Sequence, residues 1–175
     1  MVLQSEKKRI RGFEQKLAAF YAEVDAKASV LEKIHQKRLN CRKGCFSCCS
    51  DDITVFEIEA INIRMKFNRL LSDERPHRKG FCALLDEEGG CRIYEQRPYV
   101  CRTQGLPLSW WEENQEGQIY RMRDICPLNI TGPPIESLPE KSCWSIGPHE
   151  QKLAMLQKKY GSREQKRVTL RSLFK

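Results

Sequence analysis

Nine cysteines are the residues of this chain best suited to chemistry. Four crowd into Cys41-x3-Cys45-x2-Cys48-Cys49, and Cys82, Cys91, Cys101, Cys126 and Cys143 follow at wider intervals. Gaps of two or three residues let thiolates from one loop converge on one ion. Tetrahedral zinc, with sulfur at about 2.3 Å, or an iron–sulfur cluster accepts such a set. So dense a run is a poor fit to scattered buried thiols, and an odd total is a poor fit to disulfides. Cys48 and Cys49 add a geometric demand. Adjacent side chains of an extended chain point to opposite sides, so the pair serves two neighbouring sites, or one of the two packs or stays a reactive thiol. Four thiolates around Zn²⁺ leave a negative centre, which Arg42, Lys43, Arg92, Arg97 and Arg102, all beside cysteines in sequence, are placed to offset.

Other chemistry is poorly provided for. Hydrolytic zinc wants three protein ligands, a water and a nearby acid or base. His35, His77 and His149 lie in a helix, a turn and a helix start, and none falls within the cysteine run. Tyr94 reads as a packing ring, Glu95 as a partner of Arg97, and Trp110-Trp111 as core or interface rings. Cys41-x3-Cys45-x2-Cys48 has the spacing of the radical S-adenosylmethionine motif, in which three cysteines hold a four-iron cluster. Ser47 stands where that motif carries an aromatic residue, and the chain is short for the partial α/β barrel of such enzymes. No strand leads into a Gly-rich, helix-opening loop that would hold a nucleotide or methyl donor. The pattern therefore leans away from an enzyme.

Elements must bring these cysteines together. From Ser5 to Asn40, Ile10, Phe13, Leu17, Phe20, Val24, Leu31 and Ile34 recur at heptad-like spacing, which predicts one long amphipathic helix. Such a helix runs on the order of 50 Å, so it either wraps the core or reaches a partner, a second copy included. Thr54-Val55-Phe56-Glu57 reads as a capping box opening a second helix to about Leu71. That places the cysteine loop at a helix N-terminus, where the dipole should depress thiol pKa values. Phe81–Leu85 and Cys91–Tyr94, separated by Asp86-Glu87-Glu88-Gly89-Gly90, read as a β-hairpin, and Pro98 as the start of a short helix carrying Cys101. Residues 109–148, rich in Pro, Gly, Trp and acid, read as irregular before a last helix near Pro148 that breaks at Gly161.

Composition bounds the rest. The chain has 175 residues, 40% hydrophobic and 31% charged, enough for one core and too apolar for disorder. Its net +8 is uneven: +6 over residues 1–43, −4 over 44–148 and +6 over 149–175. Basic ends suit a polyanion, but no recognition motif accompanies them, so solvated helix faces are favoured over nucleic acid. Met1–Arg9 lacks the apolar run of a secretory signal, and no stretch approaches the 18 to 20 apolar residues that span a bilayer. A cytoplasmic location without membrane association is expected, where thiols stay reduced and bind metal rather than pair.

One resemblance is specific. The run ending in Cys48-Cys49, then Cys82-Ala83-Leu84-Leu85-Asp86, then Cys91-Arg92-Ile93-Tyr94-Glu95-Gln96-Arg97-Pro98-Tyr99-Val100-Cys101-Arg102 and Cys126-Pro127, resembles the YkgJ-type cysteine-cluster family. That family comprises zinc- or iron-chelating proteins and includes flagellin lysine N-methylase-like members. The first cysteine gap here is three residues rather than the usual two, and Cys143 lies outside the pattern. The resemblance spans about residues 41–128 and implies a chelating domain. We therefore expect an α+β, mostly helical chain with a cysteine loop, a short hairpin and long terminal helices. The divisions are 1–40, a helix on or beyond the domain; 41–148, the metal-binding domain; and 149–175, a basic helix. Cys41, Cys45, Cys48, Cys49, Cys82, Cys91, Cys101 and Cys126 are the candidate ligands, enough for two four-cysteine zinc sites. An iron–sulfur redox or methyl-transfer protein using the same cysteines is the alternative. Spacing leaves open which cysteines share an ion.

Overall fold

The long apolar stripe at the start of the chain sets the frame. The computed structural model describes residues 2–42, 44–160 and 166–175, with side chains from Gly12 onward. Helix α1 (Val2–Ile34) buries Phe13, Leu17, Phe20, Val24, Ala28 and Leu31 at three- and four-residue intervals, the period of one helix face. Ile10 and the expected break at Gly161 lie outside the described side chains and residues. Ile34, expected on the buried stripe, is 53% exposed, because the helix ends there rather than at Asn40. Beyond it the side chains bond to a distant loop. His35 Nε2 pairs with the Ser142 carbonyl at 2.6 Å, and Arg38 donates to Thr131 and Pro133 carbonyls at 2.9 and 2.6 Å. Those bonds replace the helical ladder and deliver the chain to Cys41.

The second helix begins later than expected. Thr54–Phe56 forms strand β1, and α2 (Glu57–Lys66) and α3 (Asn68–Asp73) follow, split at Phe67. The cap residue is Phe56, whose N–H donates to the Glu59 carboxylate at 3.2 Å, so the expected Thr54–Glu57 box is one turn-half too early. β1 pairs antiparallel with β5 (Arg167–Thr169), with Val55 opposite Val168, which brings the C-terminal tail beneath the cysteine loops.

Phe81–Tyr94 turns back on itself with one antiparallel bridge, Leu85 to Cys91, and is too short to form the expected strands. Asp86 closes this turn by accepting from Glu88 and Gly90 N–H groups at 3.0 and 2.6 Å. The short helix appears as α4 (Tyr99–Arg102). A true hairpin lies where irregular chain was expected: β2 (Leu108–Glu113) pairs with β3 (Ile119–Asp124) across an Asn114–Gly117 turn. Both of its faces are largely open, so no apolar alternation marks it. Strand β4 (Trp144–Ser145) lies parallel to β2, and α5 (Ile146–Tyr160) packs on α1. The chain is thus α+β and mostly helical. No described helix is long and apolar enough to cross a membrane.

Two cores result. One joins α1 to Phe56, Tyr99, Leu106, Trp144 and Leu153. The other lies under the cysteine segments and contains Val55, Ile63, Leu84, Ile93 and Leu170, with Cys82 inside it. Helix α2 contributes to both, through Ile58 on one side and Ala60 and Ile63 on the other. Glu59, 1% exposed, sits at the seam and accepts from Tyr21 Oη at 2.9 Å, Tyr99 N at 2.7 Å and Phe56 N. Buried Gln157 answers it from α5, accepting from Ile58 N at 3.2 Å and donating to the Lys166 carbonyl at 3.1 Å. Buried polar groups so satisfied fix how the helices meet.

Candidate metal centre

All nine cysteines are free thiols. Cys41, at the surface, leads the loop. Its sulfur accepts a hydrogen bond from Asn129 Nδ2 at 3.2 Å, and the same amide donates to the Gly105 carbonyl at 2.9 Å and accepts from Asn40 N at 2.7 Å. Asn129 is fully buried and follows Cys126 by three residues in a 3₁₀ turn, so it ties Cys41 to the Cys126 segment. Gly105 completes the seat. It has a φ of +93°, and a Cβ there would stand 2.4 Å from the Cys41 sulfur. The sequence reading singled out neither Asn129 nor Gly105 for the site; an Asn three residues after Cys126 was the available signal.

The thiols act on one another electrostatically in two overlapping sets. Cys41 feels the charges of Cys45, Cys48 and Cys126. Cys49 feels Cys48 first and then Cys82 and Cys101, Cys101 feels Cys82 and Cys91, and Cys82 feels Cys91. The two groups meet at Cys48 and Cys49. A turn closed by Cys49 N and the Phe46 carbonyl, at 2.9 Å, takes Cys48 and Cys49 out of the extended conformation that would point their side chains apart. Cys49 N–H and C=O both work here, the carbonyl accepting from Cys82 N at 2.8 Å and so tying the two cysteine loops together. Cys143 stands apart, buried and faced by Arg123, Arg121, Arg38 and Glu140.

Electrostatics correct the expected depression of thiol pKa values. Strand β1 separates the loop from the α2 N-terminus, and burial pushes Cys41, Cys82, Cys91 and Cys101 above the ordinary thiol value. Cys48 goes down, to about 6, because the Cys49 thiol donates to its sulfur, with the charge of Arg97 adding to it. Cys49 is driven up for the same reason. Of the expected counter-charges, Arg97 faces Cys48, Cys91 and Cys101, and Arg92 faces Cys91. Arg102 is turned away to Asp25 at 2.6 Å, and Lys43 lies outside the described residues.

Among the described residues, no three His, Cys, Asp or Glu side chains stand close enough to grip an ion as placed. The two sets are neighbourhoods of thiols, not closed coordination shells. Their chemistry still suits a thiophilic ion: these segments carry eight sulfurs, and no histidine or carboxylate is needed to complete four-coordination. The described residues from Cys41 to Cys49 form turns but no helix or strand, so closing them on an ion breaks no regular ladder.

The model of the CxxCxxCC family, described as a putative zinc- or iron-chelating domain, matches residues 40–127. That span holds all eight cysteines of the two sets and excludes Cys143. No curated protein and no solved structure matches the chain.

Proposed function

This chain belongs to the CxxCxxCC family of zinc- or iron-chelating domains, and on that premise we propose that it binds two zinc ions through thiolates alone. Cys41, Cys45, Cys48 and Cys126 would hold one ion, and Cys49, Cys82, Cys91 and Cys101 the other. What supports this reading is that hydrogen bonds tie the segments in these pairs: Asn129, three residues after Cys126, donates to the Cys41 sulfur, and the Cys49 carbonyl accepts from Cys82 N at 2.8 Å. Bound zinc would supply cross-links between segments far apart in sequence. Asn129 would orient Cys41 toward its ion, and Arg92 and Arg97 would offset the negative charge left by four thiolates.

Protons held by the buried thiols must leave as the ion enters, so binding is coupled both to deprotonation and to closure of the loops. The test is metal analysis of protein purified without oxygen. Two zincs per chain are expected, with Cys126→Ser and Cys82→Ser each losing one and Cys143→Ser losing none. Loss of both ions in each single variant, or of one in Cys143→Ser, contradicts the assignment. Iron with acid-labile sulfide and absorption near ~400 nm replaces zinc by a cluster.

A further inference from the structure

We propose that the cleft between α1 and α2 binds a small α-amino amide, a primary ammonium one carbon away from a carboxamide. The cleft has a volume of about 210 Å³ and no cysteine lines it, so the inference stands apart from the two-ion reading. Its frame comes from α2, where Glu59, Asn62 and Lys66 fall three and four residues apart and so share one helix face. Glu59 accepts from the Tyr21 hydroxyl of α1 at 2.9 Å, and Lys66 Nζ donates to Gln96 Oε1 at 2.6 Å. Asn62, between them, lines the cleft and is 2% exposed, and its Nδ2 meets no acceptor among the described residues. Across the cleft α1 presents Leu17, Ala18 and Ala22, whose side chains have no acceptor to offer.

A buried donor without a partner is costly, and folded proteins match such groups with protein, water or ligand. One water needs only about 15 Å³ of such space, so the cleft has room for a molecule behind the oxygen that Asn62 would hold. Charge sets what else that molecule carries. Three carboxylates, Glu14, Asp25 and Glu95, face two cations, Lys66 and Arg102. Arg102 is spent on Asp25 at 2.6 Å and lies 4.1 Å from the Tyr21 ring centroid, whereas Glu14 and Glu95 are in no ion pair among the described residues. Glu14 is half-buried and Glu95 exposed, so the surplus of negative charge lies outward of the buried donor. The complementary ligand is a cation with an oxygen acceptor at its inner end, and Leu17, Ala18 and Ala22 give it an apolar wall for an aliphatic side chain. A carboxylate in place of the carboxamide would add a charge that this surplus repels.

The experiment is titration of the full-length, isotope-labelled protein with leucinamide, read by NMR at the Asn62 side-chain amide and the Ala18 and Ala22 backbone amides. It is run at about pH 6.5, below the α-amino pKa of roughly 7.7 to 8.0, so that the ammonium is charged. Two further probes each lack one group: isocaproamide has no ammonium, and isoamylamine has no carboxamide. Leucinamide should shift all three signals saturably, and isocaproamide, isoamylamine and leucine should each bind at least about 10-fold more weakly, the lower end for a lost hydrogen bond to a charged group. Asn62→Leu should weaken leucinamide by about the same factor and leave isoamylamine, which has no oxygen to lose, unchanged. Glu95→Gln should weaken leucinamide and leave isocaproamide unchanged. Leucinamide that moves none of these signals, or moves them without saturation, overturns the proposal and leaves Asn62 to water. Isocaproamide or leucine binding as tightly as leucinamide overturns the choice of a cation. Equal weakening of leucinamide and isoamylamine in N62L assigns Asn62 a packing role and overturns its contact with the ligand. Should N62L fail to fold, the probe series on wild type decides, since isoamylamine binding as tightly as leucinamide also overturns that contact.

Discussion

Asn129 shows how one buried amide positions the thiol of an otherwise exposed cysteine. All of its hydrogen-bonding is committed, to Cys41, Gly105 and Asn40, so removing it frees the Cys41 sulfur without opening a charged cavity. Asn129→Ala should weaken the ion at the Cys41 set by about 10- to 100-fold and leave the other ion nearly unchanged. Chelator competition read ion by ion checks this, and equal loss from both sites would contradict it. Gly105→Ala should do the same more severely, since the new methyl meets the Cys41 sulfur and the residue must hold a φ of +93°. The cysteine spacing singled out the eight thiols, yet their partition was not readable from it. The proposed partition rests on the Asn129 tie between Cys41 and the Cys126 segment and on the Cys49–Cys82 backbone bond, contacts between segments far apart in the chain.

Glu59 is where the elements are locked together, and its titration reports on that lock. Burial raises its pKa above 4.5, against the opposing hydrogen bonds from Tyr99, Tyr21 and Phe56. The folded state therefore holds this proton more tightly than the unfolded chain does. The stability it contributes is fully present below pH 4.5 and is lost as pH rises through the folded value. Urea unfolding of wild type and Glu59→Gln at pH 4 and pH 7 should show wild type losing ground to the variant as pH rises. Thiolate protonation affects both chains alike and cancels in the difference. A pH-independent difference would contradict the account. Glu59→Ala, which strands three donors, should cost about 2 to 4 kcal/mol. At this scale α1 was legible because its apolar stripe has a helix period, and α4 because Pro98 opens it. The β2–β3 hairpin was not, since neither face is buried enough to pattern its residues, and Phe81–Tyr94 looked like strands because its apolar runs are core-facing turns.

Across the whole molecule, the cysteine segments are tied down by the far end of the chain. Arg171 bonds to Asp51, to the His77 and Phe81 carbonyls at 2.9 Å each and to the Arg78 carbonyl at 3.2 Å, so the C-terminal tail braces both cysteine loops. Arg171→Ala should lower the unfolding temperature and speed zinc loss together, measured by a thermal melt with a zinc-release dye. A melt shifted without faster release would separate the tail from the metal centre. Helix α1 spends its apolar face, Phe13 to Leu31, inside the chain's own core, which supports the reading that this stripe covers the domain. Ions that cross-link segments from Cys41 to Cys126 should also carry folding energy, so chelation should lower the unfolding temperature reversibly. The most direct test of thiolate-only binding is X-ray absorption at the edge of the metal found in the purified protein. The account predicts four sulfur neighbours at about 2.3 Å and no nitrogen or oxygen shell; a first shell containing nitrogen or oxygen ligands would contradict it.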